Sequence, residues 1–503
     1  MKTSIKSFLI ILILFISVAG VILPKELNNL DEIWNYNFAR CIADGLLPYK
    51  DFNMVQTPLL PIICGIILKL TFNELIVMRI LAVFLITTIL FFIYKIFKRL
   101  RLNKYIINIY VIGIYLLFYK DFCIDYNYTV LLIILITIYA ELKKEILEVN
   151  FKRDFLLGLL VGTSILFKQT TGLALIVIFV LYKLLLVNNK NEFKSVIKII
   201  VERALGALIP ILIFCIYLSC NNLWKYFLDY TVYSLNTFSN VISYKNLING
   251  NDGIVIQIIS IALPIAVLIM YYISILKKHT NTEQKHIFIL FCYSIASAVV
   301  IFPISDKIHF LIGVMPSLIA ICYMIYIFMN MMLEKTKKCN QAKFEIKHFM
   351  KALGVLCIII IFCFSSFRLI KYLKNANRYI ELKHFKYIPI ESKNIKKIDN
   401  YILEQNKYGN KVYILDANAA VYMIPLDKYN KDYDLFLKGN IGAKSEEGQI
   451  EKLRKEENNT IILILSDCYK KNWQTPENVI KYVKENMTKI GNIVFFDIYK
   501  ISK

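Results

Sequence analysis

Apolar residues run along this chain in blocks of about 15 to 25, divided by short polar stretches, and the blocks repeat as far as residue 370. Leu, Ile and Phe recur throughout each block without the alternation of a half-buried strand, so the pattern predicts helices that are apolar on every side. In hydrocarbon each backbone N–H and C=O must find a partner inside its own segment, and a helix supplies one. The predicted spans begin with Ser7 to Leu23, Leu75 to Tyr94, Tyr105 to Tyr119, Tyr128 to Ala140, Phe155 to Phe167 and Gly172 to Leu186. They continue with Ile199 to Leu218, Gly253 to Leu276, Ile287 to Phe302, Phe310 to Met329 and Ala352 to Ile370, eleven in all. A further apolar run from Pro58 to Leu70 is too short for a core about 30 Å thick and predicts a helix lying along the interface.

Beyond Ile370 the long blocks stop. Short β-type runs at Val412 to Leu415, Ile461 to Leu465 and Ile493 to Phe496 alternate with polar helical stretches near Glu446 to Arg454 and Pro476 to Glu485. The expectation is a polytopic α-helical membrane domain over residues 1–370, followed by a small α/β domain over 371–503.

Basic residues orient the spans, because Lys and Arg near helix ends are retained on the cytoplasmic side. With the N-terminus inside, the cytoplasmic loops hold Lys95, Lys98, Arg99, Arg101 and Lys104, then Lys143, Lys144, Lys152 and Arg153. Lys190, Lys194 and Lys198 follow, then Lys277 and Lys278, then Lys335, Lys337, Lys338, Lys343 and Lys347. The alternate loops are far poorer in such residues, and the tail falls outside, as expected of a multi-pass protein of the cell membrane. Lys2 and Lys6 before the first block read as a signal sequence; Val18-Ala19-Gly20 is a weak cleavage site, which favours an uncleaved first helix. Three outer segments are large enough to build a site: residues 24–74, 221–252 and the tail.

Composition agrees. Of 503 residues 57% are apolar and 19% charged, against roughly 45–50% and 25% in soluble domains. The net charge of +23 sits in loops between apolar blocks and not on an amphipathic, aromatic-interleaved face, which argues against nucleic acid. Eleven cysteines form no C-x-x-C pair, and Cys64, Cys215, Cys292, Cys322 and Cys357 lie inside apolar runs as small hydrophobes.

Candidate chemistry gathers in the outer segments. Asp31 and Glu32 follow the first helix directly, at a wet interface where burial raises a carboxylate pKa and a cation lowers it. Adjacent acids also suit a solvated helix N-terminus, and spacing alone does not choose between these readings. Lys168 and Gln169 interrupt an apolar stretch at an outer helix end, where an ammonium either snorkels or meets an anion such as a membrane-bound phosphate. Ser305-Asp306-Lys307-Ile308-His309-Phe310 closes a short outer loop, and Lys307 and His309 there suit a phosphate or a helix cap equally.

Together Asp31-Glu32, Gly45-x-x-Pro48-Tyr49-x-Asp51-Phe52, Pro58-Leu59, Arg79, Lys168-Gln169-Thr170 and His309-Phe310 with Pro316 resemble the GT-C glycosyltransferases of family 39. That family includes dolichyl-phosphate-mannose protein mannosyltransferases and bacterial lipid A aminoarabinose transferases, and the resemblance covers roughly residues 8–330. It implies transfer of a sugar, with inversion, from a polyprenyl-phosphate donor to a glycan, lipid or protein acceptor on the outer face. By the resemblance Asp31 is the general base, with Glu32 assisting, and Lys168, Lys307, His309 and Arg79 hold the donor phosphate. Asp121 and Asp125, with Gln169, Tyr49 and Asp51, are expected to line the same cavity at the lipid boundary.

Relatives often carry His-Pro-Pro where this chain has Gln56-Thr57-Pro58, so no role of that histidine transfers, and no required metal is implied, although a divalent cation is compatible with the fold class. Two other readings use the same carriers. A flippase of polyprenyl-linked sugars should show repeats and midplane charges, and a surface-polysaccharide polymerase or ligase should place arginines in later outer loops. Polar residues here cluster at outer helix ends instead, and arginine is rare in the outer loops.

Overall fold

The computed structural model describes residues 2–27, 29–142, 147–237, 242–250, 252–276, 281–335, 340–379, 381–430, 433–469, 471 and 474–501. Among the basic loop residues, Lys143, Lys144, Lys277, Lys278, Lys337 and Lys338 lie outside this set. The helices begin with α1 (Lys2–Ile22), α2 (Leu30–Ala43), α3 (Leu59–Lys69), α4 (Leu75–Arg99), α5 (Lys104–Phe118) and α6 (Tyr126–Glu141). Next come α7 (Phe151–Thr163), α8 (Gln169–Leu181), α9 (Lys190–Cys220), α10 (Trp224–Thr231), α11 (Lys245–Asn249) and α12 (Ile254–Tyr271). Then follow α13 (Thr282–Ala298), α14 (Lys307–Gly313), α15 (Met315–Lys335), α16 (Asn340–Lys374) and α17 (Ser392–Lys407).

Every one of the eleven predicted spans is helical over most of its length. Among the described residues, seven helices are long and apolar enough to cross a membrane, and Ser7–Ile22, α3, α5 and α6 are shorter apolar helices. The chain is therefore a multi-pass membrane protein, with seven crossings supported by length and composition where eleven were expected. One span differs in kind: Phe310 to Met329 was expected to be a single helix, but the chain breaks at Val314 into α14 and α15. Pro316 has no N–H to give, which a first helical turn tolerates and a helix interior does not, so α15 starts beside it.

Two compact units emerge, and they do not follow chain order. Unit 1 is Met1–Ile22, Leu81–Phe214 and Ile242–Lys371; unit 2 is Leu23–Ile80, Cys215–Val241 and Tyr372–Lys503. In unit 1, α13 packs against α15, α8 and α6. Close approach of α7 to α9 depends on small residues: a Cβ on Gly158 would collide with the Arg203 carbonyl, one on Gly162 with that of Ala207, and one on Gly206 with that of Phe155. Small residues four apart are the usual means of close helix packing in lipid, where apolar burial supplies no drive between helices. Ile258, Ile261, Ile265 and Leu268 form an exposed stripe on α12, the outward face of a lipid-solvated helix.

Unit 2 contains residues 24–74, the first segment expected from sequence to lie outside, and the tail. Its sheet has the order β1-β2-β4-β3, from β1 (Lys411–Leu415), β2 (Thr460–Leu465), β3 (Thr488–Ile493) and β4 (Phe496–Lys500). β1 and β2 are parallel, and the other pairings are antiparallel. The expected strand Ile493 to Phe496 is instead the tip of the β3–β4 hairpin: Val494 turns the chain with φ of 51°, and a continuous apolar run concealed that reversal. α17 lays Ile398 and Ile402 on one face of this sheet, beside Val412, Ile414, Leu463 and Ile498.

α2 is anchored to the tail from within unit 2. The Trp34 indole donates to the Ala417 carbonyl at 2.9 Å, and the buried Arg40 guanidinium donates to the Lys428 carbonyl at 2.6 Å. Arg40 also lies 4.3 Å from the centre of the Tyr429 ring. Burying a charge is tolerable only with such partners, so the tail helps to hold the helix that carries Asp31.

Candidate active site

Asn29 caps α2: its side chain accepts from the backbone N–H groups of Asp31 at 2.8 Å and Glu32 at 3.2 Å. This cap fixes where the two acids leave the chain, and successive helical positions send them in different directions. Asp31 is half-buried, whereas Glu32 is buried. Arg79, from the first turns of α4, meets Glu32 in a two-pronged pair, Nε to Oε1 at 2.7 Å and Nη2 to Oε2 at 3.0 Å. Its remaining terminal nitrogen donates to the carbonyls of Leu23, at 3.2 Å, and Lys25. All three guanidinium nitrogens of Arg79 are thus engaged inside unit 2, on residues that frame α2, and Arg79 is buried.

Two further loop residues serve the loop's own shape. Asp51 accepts the Leu47 N–H at 2.8 Å, closing a turn. Tyr49 is buried with φ of 67°, donates its hydroxyl to the Gln56 carbonyl at 2.7 Å and meets Phe227 edge-on. Burial pushes the Tyr49 phenol well above its usual range, so it stays a donor.

Unit 1 assembles the remaining predicted residues at one end of α6, α8 and α14. Asp125 caps α6, Lys168 is the residue preceding α8, and Asp306 caps α14 with a 2.8 Å bond from the His309 N–H. Lys168 donates to the Asn127 side-chain oxygen at 2.7 Å and lies over the Tyr126 ring. Lys307 pairs with Asp121 at 2.8 Å, both partly exposed, and His309 Nδ1 lies 2.9 Å from Asp306. Gln169, next to Lys168, opens α8 and is half-buried.

The acids in this cluster differ in character. Burial raises the Asp125 pKa, and the Asn127 N–H and the charges of His309 and Lys168 only partly oppose it. One Asp125 oxygen is buried without a hydrogen-bond partner among the described residues. Burial also works against charge on Asp306, but the His309 side chain and backbone N–H bonds hold its pKa below the usual carboxylate range. Three basic side chains therefore stand beside Asp306, whose pKa is lowered, Asp125, whose pKa is raised, and Asp121. Two helix N-termini, those of α6 and α8, add their partial positive charge at the same end.

Cys123, near this cluster in sequence, is buried, and no group of three or more His, Cys, Asp or Glu residues suited to a metal occurs among the described residues. Asn29, Asn127 and Asp306 escaped sequence reasoning as partners, because capping and lysine pairing depend on which helix end lies nearby. Also missed was a buried ionic group in unit 1. Arg203 of α9 bonds Asp154 at 3.0 Å, Glu141 and the Phe179 carbonyl at 2.6 Å; Tyr182 donates to Glu141 at 2.5 Å. Arg203 stands inside the predicted span Ile199 to Leu218, and a charge within a span was the available signal.

No protein-family model matches the sequence, and no curated protein matches it. Among solved structures, ArnT from Cupriavidus metallidurans in the apo state is similar at a TM-score of 0.56, over 99% of this chain and 98% of that one, with 9% identity. This chain has the GT-C glycosyltransferase fold. ArnT bound to undecaprenyl phosphate is similar to the same extent, at a TM-score of 0.56 and 9% identity over 99% and 98% of the two chains. The arabinofuranosyltransferase AftD from Mycobacteria matches at a TM-score of 0.47 and 12% identity, over 99% of this chain and 40% of that one. A GT-C fold extending over almost the whole of both ArnT and this chain takes in the tail as well as the helices, although the sequence resemblance stopped near residue 330.

Proposed function

We propose that this protein transfers a sugar from a polyprenyl-phosphate donor to an acceptor on the outer face of the cell membrane, with the N-terminus cytoplasmic and the tail outside. The observation that carries the reading is the cluster of Lys168, Lys307 and His309 at one end of α6, α8 and α14 in a GT-C fold, beside two helix N-termini. A phosphate arriving there competes with Asp121 for Lys307 and accepts from Lys168. Negative charge growing on it as the sugar–phosphate bond breaks is stabilised by donors already in place. Asp31 is the proposed general base, taking the proton of the acceptor hydroxyl as the new glycosidic bond forms. Support for that choice over Glu32 comes from the sequence resemblance, in which Asp31 matches the catalytic acidic position, and from its half-buried place at a capped helix start, where Glu32 is buried against Arg79. Arg79 accordingly positions α2 in this proposal, in place of the phosphate contact expected from sequence.

The test is a transfer assay with purified protein and a panel of polyprenyl-phosphate sugars, read by mass spectrometry for consumed donor and glycosylated product. Asp31→Asn should abolish transfer and leave donor binding near that of the wild type, because only the proton acceptor is lost. Wild-type turnover in that variant removes Asp31 from the mechanism. Lys168→Ala should weaken donor binding, and unchanged affinity would count against its phosphate role.

A further inference from the structure

Within unit 2, α17 and the β3–β4 hairpin line a shallow, open groove of about 530 Å³. That volume falls in the range of small-molecule sites, roughly 300–1,000 Å³. One wall is a stripe of α17 made by Asn394, Lys397, Asn400, Tyr401 and Glu404, three and four residues apart and so on one helical face. The opposite wall is Asn492, Ile493 and Val494. The other face of α17 buries Ile395, Ile398 and Ile402, and Tyr401 is partly buried against the core that Ile398 and Ile402 join.

Val494 makes the hairpin wall unusual. A β-branched residue in the left-handed region costs on the order of 1–3 kcal/mol, and two-residue hairpin loops favour Asn-Gly. This chain keeps Val494-Phe495 at the tip, with φ of 51° at Val494. The Ser466 N–H donates to the Phe495 carbonyl at 3.0 Å, and the Tyr469 hydroxyl donates to the Val494 carbonyl at 3.4 Å, holding the strained turn from the side. Backbone strain of this sort concentrates where a ligand is met.

The lining specifies the ligand's chemistry. Three carboxamides present both donors and acceptors, which suits hydroxyl groups. Lys397 and Glu404 cancel in charge, so neither an anion nor a cation is selected. Tyr401, Ile493 and Val494 pack in part against the sheet core, and the half-exposed surface that they leave at the groove suits the C–H face of a sugar ring. A peptide strand is disfavoured, because the free edge strand β3 is irregular between Lys489 and Gly491, which interrupts the ladder a peptide would extend. We propose that this groove binds a neutral oligosaccharide and serves as a docking subsite for a glycan acceptor. The acceptor role rests on the sugar-transfer reading; the binding does not.

The experiment uses the full chain in phosphatidylcholine nanodiscs, with saturation-transfer NMR and titration against maltohexaose, chitohexaose, a hyaluronan hexasaccharide and an extended hexapeptide. At least one neutral hexasaccharide should bind, and the exposed-residue variants Asn400→Ala and Asn492→Ala should each weaken it about tenfold, the loss of one or two hydrogen bonds. The binding readout requires neither donor nor turnover, so a failure of the catalytic reading leaves this result standing. Three results would overturn the assignment: no binding of either neutral sugar, undiminished binding in both asparagine variants, or preference for the hyaluronan fragment or the peptide.

Discussion

Glu32→Gln isolates the pair that holds α2 while preserving side-chain shape. The carboxylate and the Arg79 guanidinium meet at 2.7 and 3.0 Å with side chains 4% and 1% exposed, so water screens neither. Neutralising Glu32 leaves a buried cation with one amide oxygen and the Leu23 and Lys25 carbonyls but no counter-charge, and breaking a buried pair in this way costs roughly 3–5 kcal/mol. No cavity forms, so that figure carries no packing loss. The consequence is local, since the pair joins the start of α2 to the start of α4: amide exchange over Leu30–Ala43 should accelerate by about two to four powers of ten. Hydrogen exchange with mass spectrometry in nanodiscs reads this directly. Protection within tenfold of wild type would refute the claim that the pair holds the helix. Replacing both partners by leucine should restore most of the protection, because a buried ion pair is worth little more than apolar contact; Arg79→Leu alone should not.

Other outcomes follow from the same structure. Burial pushes the Asp399 carboxyl in the tail up from 3.8 to about 7, so its neutral form is favoured in the folded state. That stability is complete below about pH 4 and lost as pH rises through about 7; Asp399→Asn should therefore stabilise the protein at pH 8 by about 2 kcal/mol, half the full conversion because the Asn amide is itself a buried polar group, and not at pH 4. Denaturant melts at the two pH values check this, and an equal effect at both would contradict it. Gly158→Val should separate α7 from α9 and cost at least about 2 kcal/mol in detergent unfolding, since the added carbon meets the Arg203 carbonyl and not a movable side chain. Lys307→Met should change stability by less than about 1 kcal/mol, because its pair with Asp121 is partly exposed, yet under the proposed function weaken polyprenyl-phosphate binding more than tenfold; equal binding would remove Lys307 from that proposal.

Where the physics is local, the sequence was a sufficient guide. Apolar blocks from Leu75 onward had to be helices in lipid because no other segment can satisfy its own backbone, and each predicted block is helical in the structure. The strands at Val412 and Ile461 were legible for the same kind of reason, an apolar run bounded by turn residues. Partnership was not legible, because it depends on residues far apart in the chain. Glu32 and Arg79 are 47 positions apart, and Lys307 and Asp121 are 186 apart; only folding decides that Arg79 is spent on an acid and that Lys307 already has one. The same holds for Val494, where an unbroken apolar run predicts a strand and tertiary packing makes a turn. Solvent and backbone hydrogen bonding thus dictated which segments became helices and strands, while charge pairing, a non-local and geometry-dependent interaction, decided what the charged side chains are free to do.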